Sequence, residues 1–178
     1  HSGQFHNDDA LACAIIMLAH PDDEFSVVRT RNPAIIEAGI DDPNAWVVDV
    51  GGVYDPTRLS FDHHQKGFSE TFSENHTTTP CAAAGLVWRA TRYDGLIKEA
   101  IYNGLIEAID AQDNGVCAPE PAFQVFDLNP PWNSSSYGDE EFTIAITVAG
   151  LFLRREMSRH GQAEAPSFDD GIWVAETF

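Results

Sequence analysis

The sequence predicts an α/β domain in which a predominantly parallel sheet is flanked by helices on both faces. Two observations predict this class. Runs of β-forming residues alternate with helical patterns along the chain, which is the order that parallel strands joined by crossover helices require. The chain has 178 residues, of which 43% are hydrophobic, enough for one core of this kind and too few for two full domains.

The individual elements follow from local patterns. Residues 8–19 begin with two acids and are apolar on nearly every face, which predicts a helix buried against the sheet. A second, short helix at 32–39 has Pro33 in its first turn and Gly39 just past its end. The other elements predicted are strands at 25–30, at 46–52 and just before residue 62, and helices at 81–93, 96–110 and about 141–160.

The charge balance excludes some partners. There are 10 Lys and Arg against 28 Asp and Glu, a formal charge of −18, so bulk electrostatics repel nucleic acid and anionic membranes alike. An anionic substrate must therefore be held by local cations, which is a first indication of metal ions.

The cysteines and the apolar runs indicate the compartment. Cys13, Cys81 and Cys117 are odd in number and widely spaced, which is typical of reduced thiols. Apolar runs such as residues 10–19 are shorter than the roughly 20 residues that cross a bilayer, and no signal peptide is recognisable. We expect a soluble intracellular protein without membrane contacts.

Carboxylate and imidazole side chains recur in four groups, "HSGQFHNDD" (1–9), "VVDVGG" around Asp49, "DHHQ" (62–65) and "IDAQDNG" (109–115). Ligands of parallel sheets bind beyond the carboxyl ends of the strands, where Asp49 and the Asp62-His63-His64 run are expected. Carboxylates crowded there cost several kcal/mol per unpaired buried charge, and a cation removes that cost. Mixed Asp and His ligands favour Mn, Fe, Co or Zn.

Each group also has a purely structural interpretation. The two histidines fit a surface turn, and Asp49 fits a turn before Gly51 and Gly52. Acids at positions 8 and 9 fit the helix dipole, and those at 110 and 113 fit a helix end. The joint pattern of the four groups favours the metal site over these alternatives.

Seven spaced segments, "HSGQFHNDDALA", "VVRTRNP", "VVDVGGVYDP", "FDHHQKGF", "AAAGLVW", "EAIDAQDNG" and "LNPPWN", lie in order between residue 1 and about residue 133. Together they resemble the MYG family, once listed as an uncharacterised protein family and also labelled metal-dependent protein hydrolase. The "DHH" run after a strand resembles the wider DHH phosphoesterase superfamily, which includes the RecJ exonucleases and the family II pyrophosphatases.

The resemblance implies a single DHH-type catalytic domain over 1–178, with the core motifs in 1–128 and a loop and long helix in 129–178. That helix leads toward a second, substrate-gripping domain that these 178 residues do not contain. The resemblance also implies two divalent metals, most simply Mn, with Mg, Co or Zn as alternatives. By position, the metal ligands would be His1, His6, Asp8, Asp9, Asp49, His63, and Asp110 or Asp113.

The implied activity is that of a 3′-to-5′ RNA exonuclease of the nucleus and mitochondrion. Two metals about 3.5–4 Å apart would activate a bridging hydroxide and clamp both oxygens of an in-line displacement. Asp49 would hold the metals together and His64 would face the phosphate. Arg58 and Lys66 flank the DHH run and would neutralise the phosphate, or else they are solvated surface cations. Arg29 and Arg31 are expected on one side of a strand.

Two alternatives remain at this point. The first is a hydrolase of small phosphate compounds or pyrophosphate, because nucleic-acid binding depends on cationic residues and this chain has few. The second is a metal-binding interaction module that is inactive in isolation.

Overall fold

The computed structural model describes residues 4–75, 78–93, 95–116, 138–161 and 167–168. Its helices are α1 (Asn7–Ala19), α2 (Pro33–Asp41), α3 (Ala83–Ala90), α4 (Gly95–Ile101), α5 (Glu107–Asp113) and α6 (Asp139–Arg159). Its strands are β1 (Val47–Val48), β2 (Tyr54–Asp55), β3 (Ser60–Phe61), β4 (Thr91–Arg92) and β5 (Ser167–Phe168). The predicted mixed α/β class is confirmed.

Helix α1 lies at the centre of the core. It packs mainly against α6 and α3, and its apolar residues are buried around most of its circumference, including Leu11 and Ile15. Small side chains let a neighbouring helix approach closely: Gly150 of α6 lies beside Ala14 of α1. The sequence prediction of a buried helix at 8–19 is therefore confirmed, and α1 provides a rigid support for the acids in its first turn.

Strand β3 is the middle strand of a three-stranded sheet with the order β1-β3-β2. It pairs in parallel with β1, with Val48 opposite Phe61, and antiparallel with β2. Strands β4 and β5 form a separate antiparallel pair. Among the described strands only one of three pairs is parallel, so a predominantly parallel sheet is not confirmed. The parallel pair β1 and β3 is nevertheless the part that positions the site.

Residues 25–30 form no strand, contrary to the prediction. Phe25, Val27 and Val28 are 37%, 39% and 67% exposed, and the segment borders a cavity of about 760 Å³ together with α1, α2 and β1. β-forming side chains favour a strand only where a ladder partner and a buried face are present. The described residues provide neither for this segment.

The helix predicted at 96–110 extends from Gly95 to Asp113 in the structure and is interrupted in its middle. A π-helical segment, Tyr102–Ile106, joins α4 to α5. Within it a Cβ on Gly104 would lie 2.9 Å from Oε1 of the buried Glu156, so glycine allows α6 to pack closely here. The extra residue in a π turn changes the direction of the side chains that follow, which include those of α5.

The other predicted boundaries hold to varying degrees. Helix α6 matches the helix predicted at about 141–160, and α3 is shorter than the 81–93 predicted. Gly39 lies inside α2 rather than past its end, where its missing Cβ leaves room for Val47 at 3.2 Å. His1, Cys117 and nearly all of the loop predicted at 128–139 lie outside the described residues. Within the described ranges, no helix is both long and apolar enough to span a bilayer.

Candidate metal centre

Asp49 follows β1 directly and has a left-handed backbone. Its N–H donates to Phe61 O at 3.0 Å, which extends the β1–β3 ladder by one step, and its φ is 58°. A residue other than glycine in this conformation costs roughly 1–3 kcal/mol and is typical of functional sites. The turn is completed by Gly51 and Gly52, both with positive φ. The buried carboxylate of Asp49 thus lies at the carboxyl end of β1.

The Asp62-His63-His64 run follows β3 at the same edge of the sheet. Asp62 Oδ2 accepts the N–H of Gly52 at 2.5 Å, and Asp62 Oδ1 pairs with His64 Nδ1 at 2.6 Å. Asp62 therefore ties the two turns together and orients the His64 ring. The side chain of His64 is 59% exposed, so its Nε2 is left available at the surface of the site.

His63 is oriented by Asn114, just beyond α5. Asn114 Nδ2 donates to Pro80 O and to Asp110 O, both at 2.9 Å. This leaves Asn114 Oδ1 facing His63 Nδ1 at 3.3 Å. Nδ1 therefore carries the proton in the neutral ring, and Nε2 presents its lone pair to the other side. Fixing the tautomer in this way is typical of histidines that bind metals.

Nε2 of His63 faces two carboxylates. It lies 3.1 Å from Asp113 Oδ2 and 3.4 Å from Asp49 Oδ1. Although buried, it makes no hydrogen bond within the described part of the chain. A ring nitrogen and carboxylate oxygens that converge without bonding to one another are the arrangement expected of ligands around a cation.

Asp8, in the first turn of α1, completes the cluster. Its Oδ2 and Oδ1 accept the N–H groups of Ala83 and Ala84 at 2.9 and 2.7 Å, so Asp8 caps the amino terminus of α3. One ligand atom from each of Asp8, Asp49, His63 and Asp113 lies within 4.8 Å of the others. A second such group consists of Asp49, His63 and His64. The two groups share Asp49 and His63.

The buried carboxylates of this cluster favour a positive charge among them. Burial raises the pKa of Asp8 well above its usual value, and the neighbouring carboxylates of Asp113 and Asp49 raise it further. Burial likewise raises the pKa of Asp49. Burial opposes protonation of His63, but Asp113 and Asp49 outweigh it and raise the pKa of the ring to about 11. The donor set therefore fits a divalent cation, which would take the place of the His63 proton.

His6, Asp9 and Asp110 are not among the residues whose ligand atoms converge within 4.8 Å. His6 lies at the edge of the cluster, with Nδ1 3.5 Å from Asp113 Oδ1 and a side chain that is 48% exposed. Asp9 is buried and accepts the His6 N–H at 2.7 Å. Asp110 is fully buried and bonds to Gly85 N at 3.0 Å and Tyr102 Oη at 2.9 Å. Of the two acids left open by the sequence, Asp113 is the one in the cluster.

The two predicted phosphate-neutralising cations lie on exposed surfaces. The guanidinium of Arg58 contacts Asp41 Oδ1 at 2.6 Å and Ile40 O at 3.2 Å, at the end of α2. Lys66 is exposed. Neither lines the cavity beside Asp49 and His64. Sequence reasoning missed Asp62 and Asn114 as residues that orient the two histidines; for Asp62 the spacing to His64 was an available signal, and for Asn114 there was none.

Comparison with known proteins agrees with the motif resemblance. The family model for MYG1_exonuc, described as an uncharacterised protein family (UPF0160), matches residues 1–170. The chain is 35% identical to the "MYG1 exonuclease" of Bos taurus over 79% of this chain and 43% of the relative. It is 34% identical to that of Homo sapiens over 75% and 42%. It is 32% identical to "MYG1 protein YER156C" of Saccharomyces cerevisiae over 86% and 52%.

The chain thus spans about half the length of these curated relatives. No solved structure matches it significantly. Because the family model covers nearly the whole chain, from the acids of α1 through the DHH run to α6, the assignment includes every element of the candidate site. This chain belongs to the MYG1_exonuc family, UPF0160.

Proposed function

We propose that this chain carries the catalytic centre of a two-metal phosphodiesterase, a 3′-to-5′ RNA exonuclease. The observation on which the proposal depends is the buried convergence of Asp8, Asp49, His63 and Asp113, with a second group through His64. The printed name "MYG1 exonuclease" of the bovine and human relatives supports the activity. The preference for RNA, the direction of cleavage, and a nuclear or mitochondrial location rest on the motif resemblance.

In this proposal Asp8, Asp49, His63 and Asp113 hold one divalent cation. Asp49 would also contact the second cation, which would lie beside His64. Asp49 belongs to both groups of converging residues. Its carboxylate has two oxygens, so it would be able to contact both cations. When bound, such a pair lowers the pKa of a water and stabilises charge on the attacking and leaving oxygens of an in-line displacement. Mn²⁺ suits this mixed oxygen and nitrogen set, with Mg²⁺, Co²⁺ or Zn²⁺ as alternatives.

The protein side chains provide orientation around that centre. Asn114 keeps a proton on His63 Nδ1, which leaves Nε2 free to ligate. Asp62 holds His64 Nδ1, so that Nε2 of a protonated His64 would donate to a phosphate oxygen as negative charge develops. Asp8, Asp49 and His63 are buried, and burial strengthens the electrostatic interactions that they make.

A second candidate function is hydrolysis of small phosphate compounds, including pyrophosphate. The formal charge of −18 favours it, because a long polyanion is repelled more strongly than a single phosphate group. A cavity of about 430 Å³ beside Asp49 and His64 is also of the size that small ligands occupy.

Incubating the Mn²⁺-loaded chain with 5′-labelled single-stranded RNA, a mononucleotide diester and pyrophosphate in parallel separates these functions. Stepwise shortening of the RNA from its 3′ end is the expected result. Hydrolysis of the small compounds alone would favour the second candidate. A folded, metal-loaded chain that cleaves none of the three would contradict both and favour a metal-binding interaction module. Asp49→Asn is the control variant, because it keeps the side-chain shape and removes one ligand charge.

A further inference from the structure

A cavity of about 430 Å³ opens beside the candidate metal centre. It is lined by the residue before α1, the turns after β1 and β3, the segment before α2 and one residue of α2. The lining includes His6, Arg31, Asp49, Gly51, Asp62 and His64. A substrate that reaches Asp49 and His64 must occupy this space. Two carboxylates, Asp49 and Asp62, line it, so an incoming phosphate needs a positive charge beside them.

Arg31 is the one Lys or Arg among the described residues that line this cavity. Its side chain is exposed, and within the described residues it makes no ion pair or hydrogen bond. The described part of the chain therefore gives the Arg31 guanidinium no carboxylate partner, although the chain has 28 acids against 10 basic residues. An unpaired arginine in so acidic a protein is available to a ligand.

Arg29, two residues earlier, shows what a structural arginine looks like in this segment. Its side chain is 6% exposed and its Nη1 lies 3.4 Å from Asp139 Oδ1. Its guanidinium carbon lies 5.6 Å from the ring centre of Phe5 and 5.2 Å from that of Phe142. Arg29 thus anchors the segment to α6, while Arg31 is left at the cavity. Residues 29–31 form no strand, so the prediction that Arg29 and Arg31 lie on one side of a strand is wrong.

We propose that Arg31, at the cavity that Asp49 and His64 also line, binds the substrate phosphate. This inference rests on the proposed function and names the group that recognises its substrate. A guanidinium offers several N–H donors in a planar fork that matches two phosphate oxygens at once. Arg31 would thus add positive charge to that of the divalent cations the carboxylates and histidines would hold. The cavity volume fits one nucleotide, so the group recognised is the phosphate of the terminal nucleotide.

The test is the affinity of the Mn²⁺-loaded chain for adenosine 5′-monophosphate, measured by isothermal titration calorimetry. We compare the unsubstituted chain with Arg31→Met, Arg31→Lys and the control Arg155→Met. Arg155 is an exposed arginine of α6, and no residue of α6 lines the cavity. Arg155→Met therefore makes the same change in net charge without touching the site. Mn²⁺ stoichiometry is measured for every variant.

Arg31→Met is expected to weaken nucleotide binding by roughly tenfold to a hundredfold, the loss typical of one charged hydrogen-bonding group. Arg31→Lys should bind the nucleotide with intermediate affinity, because lysine keeps the positive charge and lacks the planar set of N–H donors of a guanidinium. Arg155→Met should bind as the unsubstituted chain does, and all variants should bind Mn²⁺ equally.

Equal nucleotide affinity in Arg31→Met and Arg155→Met would overturn the role of Arg31 and leave the proposed function intact. Loss of Mn²⁺ from Arg31→Met would also overturn it, because Arg31 would then act on the metal centre or the fold. Absence of Mn²⁺ binding by the unsubstituted chain would overturn the proposed function, and this inference with it.

Discussion

Replacing Asn114 by alanine tests how this site prepares His63 for a metal. The substitution removes the oxygen that lies 3.3 Å from His63 Nδ1. It also removes the amide donors to Pro80 O and Asp110 O. The ring then loses the group that fixes its tautomer and its rotation. We expect weaker metal binding and a less stable fold, by amounts that can be estimated separately.

The loss of metal affinity should be about 10- to 100-fold, as for other groups that orient a ligating histidine, or about 1.4–2.7 kcal/mol. The two lost main-chain hydrogen bonds should lower the free energy of unfolding by roughly 1–3 kcal/mol, at about 0.5–1.5 kcal/mol each. Calorimetric titration with Mn²⁺ measures the first effect, and thermal unfolding followed by circular dichroism measures the second.

Two further variants separate orientation from stability. Asn114→Asp keeps an acceptor for His63 Nδ1 and loses the donors, so it should be less stable and retain its Mn²⁺ affinity. Asn44→Ala alters an exposed asparagine at the loop before β1 and should change neither quantity. A folded Asn114→Ala chain that binds Mn²⁺ as tightly as the unsubstituted chain would refute the orienting role of Asn114.

Three other predictions address the charge and packing of the site. Asp49→Asn should reduce Mn²⁺ content and lower RNA cleavage by more than about a hundredfold, since it removes a ligand charge shared by both groups; an active, fully loaded variant would show that Asp49 is misassigned. Mn²⁺ affinity should rise by about tenfold per pH unit between pH 6 and 8. The pKa of His63 is raised to about 11, so Mn²⁺ must displace one proton from the ring to bind over this range. A Mn²⁺ affinity that does not change with pH would count against His63 as a ligand. Gly85→Ala should destabilise the fold by roughly 1–3 kcal/mol or more, because a Cβ there would lie 2.0 Å from Asp110 Oδ2; an unchanged melting temperature would show that Asp110 is free to move.

The convergence of Asp49 and His63 was predictable from the sequence. Each follows a short run of β-forming residues, and the carboxyl ends of parallel strands meet at one edge. β1 and β3 pair in parallel, and the two side chains come within 3.4 Å. Local sequence was enough to predict this contact, because each β-forming run and the polar residue that follows it lie within a few residues of each other.

Features that depend on distant partners were not predictable. The choice of Asp113 over Asp110 follows from contacts of Asp110 with Gly85 and Tyr102, and helical spacing places both acids on similar faces. His20 has polar sequence neighbours, which favour a solvated side chain. It is instead 5% exposed and stacks on Phe168 at 5.5 Å between ring centres, a partner nearly 150 residues away.

The most direct test of the central claim is anomalous scattering from crystals of the chain grown with Mn²⁺. We expect two peaks, one beside Asp8, His63 and Asp113 and one beside His64, with Asp49 in contact with both. Crystals of the folded chain, soaked to saturation, that show no peak within bonding distance of Asp49 or His63 would contradict the claim that these residues bind metal.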